Sequence, residues 1–351
     1  GAVGLNAPPP AFVGAEGLIV AGVTDVIDLG AWTAAFAEPD TSAPTAAKAS
    51  ASGGEQARER WQDYFDRIDI DIDVLYGLGY RFPDVELGAG FGSDAWQITL
   101  NGPQLSGRMT VPYVFNASER IDFQMQRLAL VDSVVDENSE SEENPYSPLD
   151  LPAIRGTAND FVLGNLNLGR LEADIARTPQ GLESRLLNTY AATFQLQVTS
   201  DWLVIDNAQR SRLRVEMNST DMESTLRSLG YSPLVDADEG RLVADLLWEG
   251  GPGDALLYSS TGAVDFSIKD GEVKDIDPGT GRILGLLSIT SLPRRLALDF
   301  SDMTGEGLAF DSLQGRFRLD FGDAWTCNLS LEGEVADMAI VGRTGIRRED
   351  Y

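Results

Sequence analysis

Histidine is absent from this chain of 351 residues, and Cys327 is its only cysteine. These absences exclude a histidine general acid or base, a serine or cysteine nucleophile activated by histidine, internal disulfides, and zinc sites of histidine and cysteine. No apolar run approaches the roughly 18 residues that a membrane-spanning helix needs. We therefore expect a protein that is not an enzyme and that holds neither a cofactor nor a metal ion.

Positive charge is also scarce. The chain has 27 Lys and Arg residues against 55 Asp and Glu residues, which gives a formal net charge of −28 at pH 7. A surface this acidic repels a phosphate backbone, so nucleic acid is excluded as a partner. Hydrophobic residues make up 43% of the sequence, which is enough to build a core and excludes disorder throughout the chain.

Alternating hydrophobicity is the strongest local pattern. In residues 68–74 (IDIDIDV) β-branched side chains alternate with aspartates, which predicts a half-buried strand, because a helix of period 3.6 would scatter them over both faces. The same period of two recurs in segments 194–198, 213–217, 316–321 and 329–331. One-sided strands of this kind are typical of antiparallel sheets.

Turn signals separate several of these strands. Asn101-Gly102, Glu239-Gly240, Asp270-Gly271 and residues 321–323 (FGD) combine residue types that favour left-handed backbone or tight turns. We therefore predict a hairpin turn at each of these four places.

Helical patterns are few. Residues 220–223 have the spacing of a capping box and Gly230 supplies a stop, which predicts a short helix over residues 221–229. Further helices are predicted over residues 281–290, before Pro293, and from about residue 56 to residue 65.

The apolar faces of the alternating strands are the candidate site. They form either an ordinary core, packed against a second sheet or the few helices, or an open, curved sheet whose apolar face is free for lipid. The two arrangements need the same alternation, so the pattern leaves both open. The candidate lipid-binding residues are the apolar members of these strands: Ile68, Ile70, Ile72, Val74, Phe194, Leu196, Val198, Leu213, Val215, Met217, Phe317, Leu319 and Phe321.

The order of segments in the second half resembles the AsmA-like bacterial family, in its YhdP branch. The segments that carry the resemblance are 220–231 (TDMESTLRSLGY), 247–254 (LWEGGPGD), 262–271 (GAVDFSIKDG), 277–288 (DPGTGRILGLLS), 292–302 (LPRRLALDFSD) and 307–315 (GLAFDSLQG). Upstream the likeness is looser but keeps the family's order, in segments 17–22, 27–32, 105–112, 127–130 and 164–171. Family members are several times longer, so the chain is similar to a C-terminal portion of one of them.

The resemblance implies a mainly β fold, with a long curved, twisted antiparallel sheet that forms an apolar groove and with two or three short helices. Residues 1–135 are then the N-terminal part of the groove. The composition of residues 38–54, rich in Ala, Pro, Ser, Thr and Gly, predicts a disordered insertion there, which departs from the family. Residues 136–150 are an acidic linker, and residues 151–351 are a C-terminal groove segment.

The resemblance also implies a function. Family members are periplasmic, are anchored to the inner membrane through a segment absent from this chain, and conduct phospholipid toward the outer membrane through the groove, with no chemistry. The implied partners are phospholipid, envelope proteins of the inner and outer membranes, and the rest of the same longer chain.

Two other readings stay open from the residues themselves. A closed β-sandwich that scaffolds envelope proteins would bind no lipid and would keep its apolar face dry. A glycosidase with two catalytic carboxylates would need a polar cleft with paired acids, and no paired-acid motif is present in the sequence.

Overall fold

The computed structural model describes residues 1–11, 17–29, 65–77, 79–113, 119–131, 147–233, 235–252, 259–274, 308–334 and 337–345. Strands contain 76% of the described residues, so the predicted mainly β fold is confirmed. The chain divides into two compact units. The first unit comprises residues 1–140 and 152–174, and the second comprises residues 141–151 and 175–351.

The first unit contains the strands that precede residue 175. These are β1 (Ala2–Leu5), β2 (Leu18–Asp28), β3 (Phe65–Gly77), β4 (Tyr80–Phe91), β5 (Ala95–Asn101), β6 (Leu105–Pro112), β7 (Arg120–Leu130), β8 (Ala153–Leu163) and β9 (Leu166–Thr178) as far as Asp174. Strands β3 to β7 are antiparallel neighbours in chain order.

Three strand pairs of the first unit are parallel, which the alternation did not predict. These pairs are β1 with β2, β2 with β3, and β7 with β8. A parallel pair needs a long crossover connection between its strands, whereas an antiparallel pair needs only a tight turn. The connections over residues 29–64 and 131–152 are long enough for such crossovers, and alternation within a strand carries no information about the direction of its neighbour.

The second unit contains an antiparallel series in which each strand pairs with the next along the chain. The strands are β10 (Gly181–Tyr190), β11 (Phe194–Ile205), β12 (Ala208–Ser219), β13 (Val235–Glu249), β14 (Thr261–Val273), β15 (Leu308–Asp320), β16 (Asp323–Glu332) and β17 (Met338–Gly345). The predicted segments 68–74, 194–198, 213–217 and 329–331 lie within β3, β11, β12 and β16.

Two of the four predicted turns are confirmed. β5 ends at Asn101 before the turn that leads to β6, and residues 321–322 link β15 to β16. The other two predictions are wrong, because Glu239-Gly240 lies inside β13 and Asp270-Gly271 lies inside β14.

These two turn dipeptides mark a place where the alternation shifts by one residue. Asp238 and Glu239 are consecutive exposed residues in β13, and Lys269 and Asp270 are consecutive exposed residues opposite them in β14. Asp270 has φ of 50°, in the left-handed region, so the backbone absorbs the extra polar residue without ending the strand. Buried side chains therefore stay on one face on both sides of the doublet.

The predicted helix over residues 221–229 is confirmed as α1 (Met222–Ser228), with Asp221 as its N-cap and Leu229 as its C-cap. The Ser224 backbone N–H donates to Asp221 Oδ1 at 2.8 Å, which satisfies one of the free amides of the first turn and lowers the pKa of the Asp221 carboxyl. Gly230, at φ of 77°, ends the helix.

The other two predicted helices fall largely outside the described residues. Residues 281–290 are not among them, and of residues 56–65 only Phe65 is, as the first residue of β3. The predicted insertion near residues 38–54 also lies outside the described part of the chain.

Candidate functional site

Alternate side chains of β11 to β15 build one apolar face in the second unit. The register places Val198 opposite Val215, Val215 opposite Ala244, Ala244 opposite Val264, and Val264 opposite Phe317. Directly opposed residues of an antiparallel ladder share a face, so this row crosses five strands on one side of the sheet. The apolar face of the second unit consists of Phe194, Leu196, Val198, Leu213, Val215, Met217, Leu242, Ala244, Leu246, Val264, Phe266, Ile268, Leu313, Phe317 and Leu319.

This face is partly packed against itself. Leu246 and Leu319 are 4% and 5% exposed and belong to one cluster, against which the half-buried Val215 and Phe317 pack. The rings of Phe266 and Phe317 stack with their centroids 6.1 Å apart. Neighbouring side chains of this face therefore shield one another from water in part.

Apart from α1, which packs on part of the face, no second layer covers it within the part of the chain that the structure describes. Extensive contacts in the second unit join only strands that are neighbours in the sheet, together with α1 and β13. Leu196, Val198, Leu213 and Val215 are therefore half-buried by their own sheet alone. A ligand with apolar chains has a surface to contact here.

The opposite face of the same strands is charged. The Arg212 guanidinium donates two hydrogen bonds to the Asp245 carboxylate, Nη2 to Oδ2 at 2.8 Å and Nε to Oδ1 at 3.2 Å. Arg214 Nη2 donates to Glu216 Oε1 at 2.8 Å. These bonds lower the pKa of Asp245 and of Glu216, so both carboxylates are charged at neutral pH. Exposed ion pairs of this kind add little stability, but they keep this side of the sheet in water.

The first unit has an apolar face of its own. Its register places Ile68 opposite Ala89, Ala89 opposite Ile98, Ile98 opposite Met109, and Met109 opposite Phe123. This row crosses β3 to β7 on one side of the sheet. The apolar face of the first unit consists of Ile68, Ile70, Ile72, Val85, Leu87, Ala89, Phe91, Trp96, Ile98, Leu100, Met109, Val111, Phe123 and Met125.

Burial varies along the apolar face of the first unit. Ile72 and its partner Val85 are 2% and 1% exposed, whereas Ile70 and its partner Leu87 are half-buried. Toward the other end of these strands the rings of Phe91 and Trp96 lie 4.4 Å apart. The half-buried positions are therefore the ones with surface left to contact a ligand.

The thirteen predicted lining residues are distributed as follows. Ile68, Ile70 and Ile72 lie on the apolar face of the first unit, while Val74 is half-buried and Leu75 takes the next buried position after Ile72. Eight of the nine in the second unit share its apolar face: Phe194, Leu196, Val198, Leu213, Val215, Met217, Phe317 and Leu319. The ninth, Phe321, lies beyond the end of β15 in the turn, at φ of 47° and 70% exposed.

Several residues of the two faces escaped the prediction. In the second unit they lie on β13, on β14, where Val264, Phe266 and Ile268 alternate with polar residues and did carry a signal, and on β15, which contributes Leu313. The turn predicted at Asp270-Gly271 interrupted the segment on β14. In the first unit the alternation of β4 is broken by Gly88 and Gly90, which give no contrast between the two faces.

The described residues contain neither a candidate metal site nor a membrane-spanning helix. No group of three or more His, Cys, Asp and Glu side chains there is arranged to hold a metal ion. No helix within the described ranges is long and apolar enough to cross a membrane.

Comparison with known proteins gives the family. The family described as YhdP protein matches residues 1–351, which is the whole chain. The curated protein named "Intermembrane phospholipid transporter YhdP", from Escherichia coli (strain K12), is 27% identical over 185 residues, which cover 52% of this chain. The matched region spans 14% of the length of that relative. No solved structure matches the chain. The likeness expected from the segments of the second half is confirmed, and the chain belongs to the YhdP family.

Proposed function

We propose that this chain is a segment of a phospholipid transporter and that the apolar faces of its two units carry acyl chains. The observation that supports the proposal most directly is the set of half-buried apolar side chains on β11 and β12, Leu196, Val198, Leu213 and Val215, which no second layer covers among the described residues. The family relative from Escherichia coli is named as an intermembrane phospholipid transporter, which supplies the class of ligand.

The chemistry of the faces suits a ligand that must move. Contact with apolar side chains stabilises a buried methylene group by about 0.8 kcal/mol without any directional bond. An acyl chain can therefore shift along the face and exchange one set of contacts for another of similar strength. No covalent step is needed, so the proposed function is transport without catalysis.

We further propose that the conduction is bridge-like and takes place in the periplasm of a Gram-negative bacterium, toward the outer membrane. The chain would be joined to the inner membrane through another part of the same longer polypeptide, and envelope proteins of both membranes would be its partners. The name of the relative, which refers to two membranes, supports this placement, as does the small share of its length that the chain matches.

The experiment that tests the proposal measures bound lipid. The 351-residue chain is purified in a native state from a Gram-negative envelope, and the extract in organic solvent is quantified by mass spectrometry. Val198→Asp places a charge on the apolar face, and the matched control Thr199→Asp places the same charge on the next residue of β11, which lies on the opposite face across from Arg214.

We expect stoichiometric phospholipid with the parent chain and with Thr199→Asp, and a large loss with Val198→Asp, because a carboxylate on the face disfavours an acyl chain. Far-UV circular dichroism establishes that all three proteins are folded. A folded parent chain without lipid would refute the proposal and favour a structural scaffold. Equal lipid in both variants would show that the lipid binds elsewhere.

A further inference from the structure

The two ends of the apolar face of the second unit differ in chemistry. The end that contains Phe194 and Met217 is next to α1. The other end, at Leu213 and Leu246, borders on Trp202 and Trp248, which lie next to hairpin turns. A phospholipid also has two different ends. We infer that the lipid of the proposed function lies along the strands, with its glycerol and headgroup at the tryptophan end and its acyl chains directed toward α1.

The tryptophan end carries a regular row across neighbouring strands. The register places Trp202 of β11 opposite Ser211 of β12, and Ser211 opposite Trp248 of β13. Ser260 comes immediately before Thr261, which pairs with Leu247, so it continues the row beside Trp248. We call these four residues the tryptophan rim.

The polar groups of the rim bond to residues at the ends of the strands. Trp202 Nε1–H donates to Gln209 Oε1 at 3.0 Å, and Trp248 Nε1–H donates to the Gly251 carbonyl at 2.8 Å. The Ser211 hydroxyl donates to the Gly250 carbonyl at 2.8 Å. Each indole thus has its polar edge satisfied at the strand end and keeps its apolar rings on the face. Side chains of this kind are favoured where hydrocarbon meets water.

One hydroxyl of the rim has no partner. Ser260 is 0% exposed, and its Oγ has no hydrogen bond among the described residues. An unpartnered buried hydroxyl is uncommon, since desolvation of the group is then not compensated. At 0% exposure this hydroxyl is closed to a ligand, so the two tryptophans, and not Ser260, distinguish the rim.

The opposite end is closed by an apolar wall. Met222 of α1 is 6% exposed and belongs to a cluster with Phe310 and Leu331. Thr225 is fully buried, with hydroxyl contacts of 2.9 Å to Thr193 and to Ser219 that fix α1 on the sheet. These three hydroxyls are thereby partnered within the protein, whereas the buried Thr189, opposite Leu196 near the same end, has no hydroxyl partner among the described residues.

The distance between wall and rim suits an acyl layer. From Leu242 to Trp248 on β13 there are six steps of about 3.4 Å, or roughly 20 Å. One leaflet of a bilayer is about 15 Å of hydrocarbon, half of the ~30 Å core. Acyl chains that begin at the rim therefore end near α1 without leaving the apolar face.

The inference rests on the proposed function, and fluorescence quenching tests the two separately. The full chain is loaded with phosphatidylcholine that carries a nitroxide either on the headgroup or at the end of an acyl chain. The emission of the double variant Trp202→Phe, Trp248→Phe is subtracted from that of the parent, which isolates the two rim tryptophans. Trp325→Phe is the matched control, because Trp325 is 49% exposed and lies outside the apolar face.

We expect the headgroup nitroxide to quench the rim tryptophans about twofold or more strongly than the acyl-end nitroxide. A reporter tryptophan introduced by Leu308→Trp, near the α1 wall, should show the opposite preference. If the double variant does not fold, Leu308→Trp is made in the parent chain instead. Stronger quenching of the rim by the acyl-end label, or equal quenching by both, would refute the orientation alone. Absence of any lipid binding would refute the proposed function together with it.

Discussion

Met222 of α1 occupies the space that Gly240 of β13 leaves open by lacking a side chain. A Cβ atom on Gly240 would overlap Met222 Sδ and would lie 2.9 Å from its Cγ. Both residues are buried, and Met222 joins the cluster that contains Val235 and Ala237 of the same strand. The absence of a side chain at Gly240 therefore lets α1 lie directly on the apolar face.

The first prediction concerns the contact between Gly240 and Met222. Gly240→Ala should destabilise the chain by about 1–3 kcal/mol, because the methyl group overpacks the site and displaces Met222. Met222→Ala should cost about 2–5 kcal/mol through the cavity that it leaves. In the double variant the two losses should not add, since each removes the cause of the other. Urea unfolding monitored by circular dichroism measures all three.

Gly342→Ala is the matched control for this cycle. Gly342 lies in β17 of the same unit, and a Cβ atom there would meet nothing within 4 Å. We expect its unfolding midpoint to stay close to that of the parent. Additive losses in the double variant would show that Met222 and Gly240 do not share one space.

The second prediction separates two neighbouring isoleucines of β3. Ile72→Asp should prevent folding of the first unit, because Ile72 is 2% exposed and its partner Val85 is 1% exposed, so the charge would be buried without a partner. Ile70→Asp should leave the unit folded, because Ile70 is half-buried. Limited proteolysis and circular dichroism compare the two variants. Unfolding by Ile70→Asp to the same extent as by Ile72→Asp would show that both are core positions.

The comparison of sequence and structure in β3 shows what alternation can reveal. Ile68, Ile70, Ile72 and Val74 were predicted to share a face. The ladder with β4 confirms this for the three isoleucines, whereas Val74 is half-buried and the next buried position after Ile72 is Leu75. The parallel pairing of β2 with β3 was not predicted, because side-chain alternation is the same in both strand directions. The faces of single strands are thus a local property, whereas the choice of neighbours depends on distant segments.

The doublet in β14 shows where local rules fail. Asp270-Gly271 has the composition of a hairpin turn, yet the strand continues through it, because Asp270 adopts a left-handed conformation within the ladder. The residues on either side, Ile268 and Gly271, pair with Leu313 and Phe310 of β15 and keep the same apolar face. A dipeptide that favours a turn also favours a one-residue shift of the buried–exposed alternation within a strand. Only the pairing with neighbouring strands distinguishes the turn from the shift.

The third prediction concerns acid. Arg212 lowers the pKa of Asp245, so the carboxylate contributes its full stabilisation above its unfolded pKa of about 3.9, and the contribution disappears as the pH falls through the lower folded-state pKa. Asp245→Asn should lower the free energy of unfolding at pH 7 by at most about 1 kcal/mol, because the ion pair with Arg212 is partly exposed. The gap between variant and parent should close as the pH is lowered below about 4.

Asp206→Asn is the control for the acid experiment. Asp206 lies in the turn between β11 and β12 at φ of 52°, where asparagine is also accommodated. We expect its urea midpoint to follow the parent at every pH. A gap for Asp245→Asn that persists unchanged at pH 3 would mean that packing, and not the ion pair with Arg212, accounts for the loss.

The fourth prediction concerns the backbone of β4. Asp84 has φ of 51° within β4, between the half-buried Pro83 and the buried Val85. Asp84→Val should destabilise the first unit by about 1–2 kcal/mol, because a β-branched residue is strained in the left-handed region, whereas Asp84→Gly should be neutral or stabilising. Thr99→Val, on the exposed face of the neighbouring β5, is the control and should cause little change, since valine is favoured in extended strands. Urea unfolding compares the three variants. If Asp84→Gly lost as much stability as Asp84→Val, the loss would come from removal of the aspartate side chain, and not from strain in the left-handed backbone.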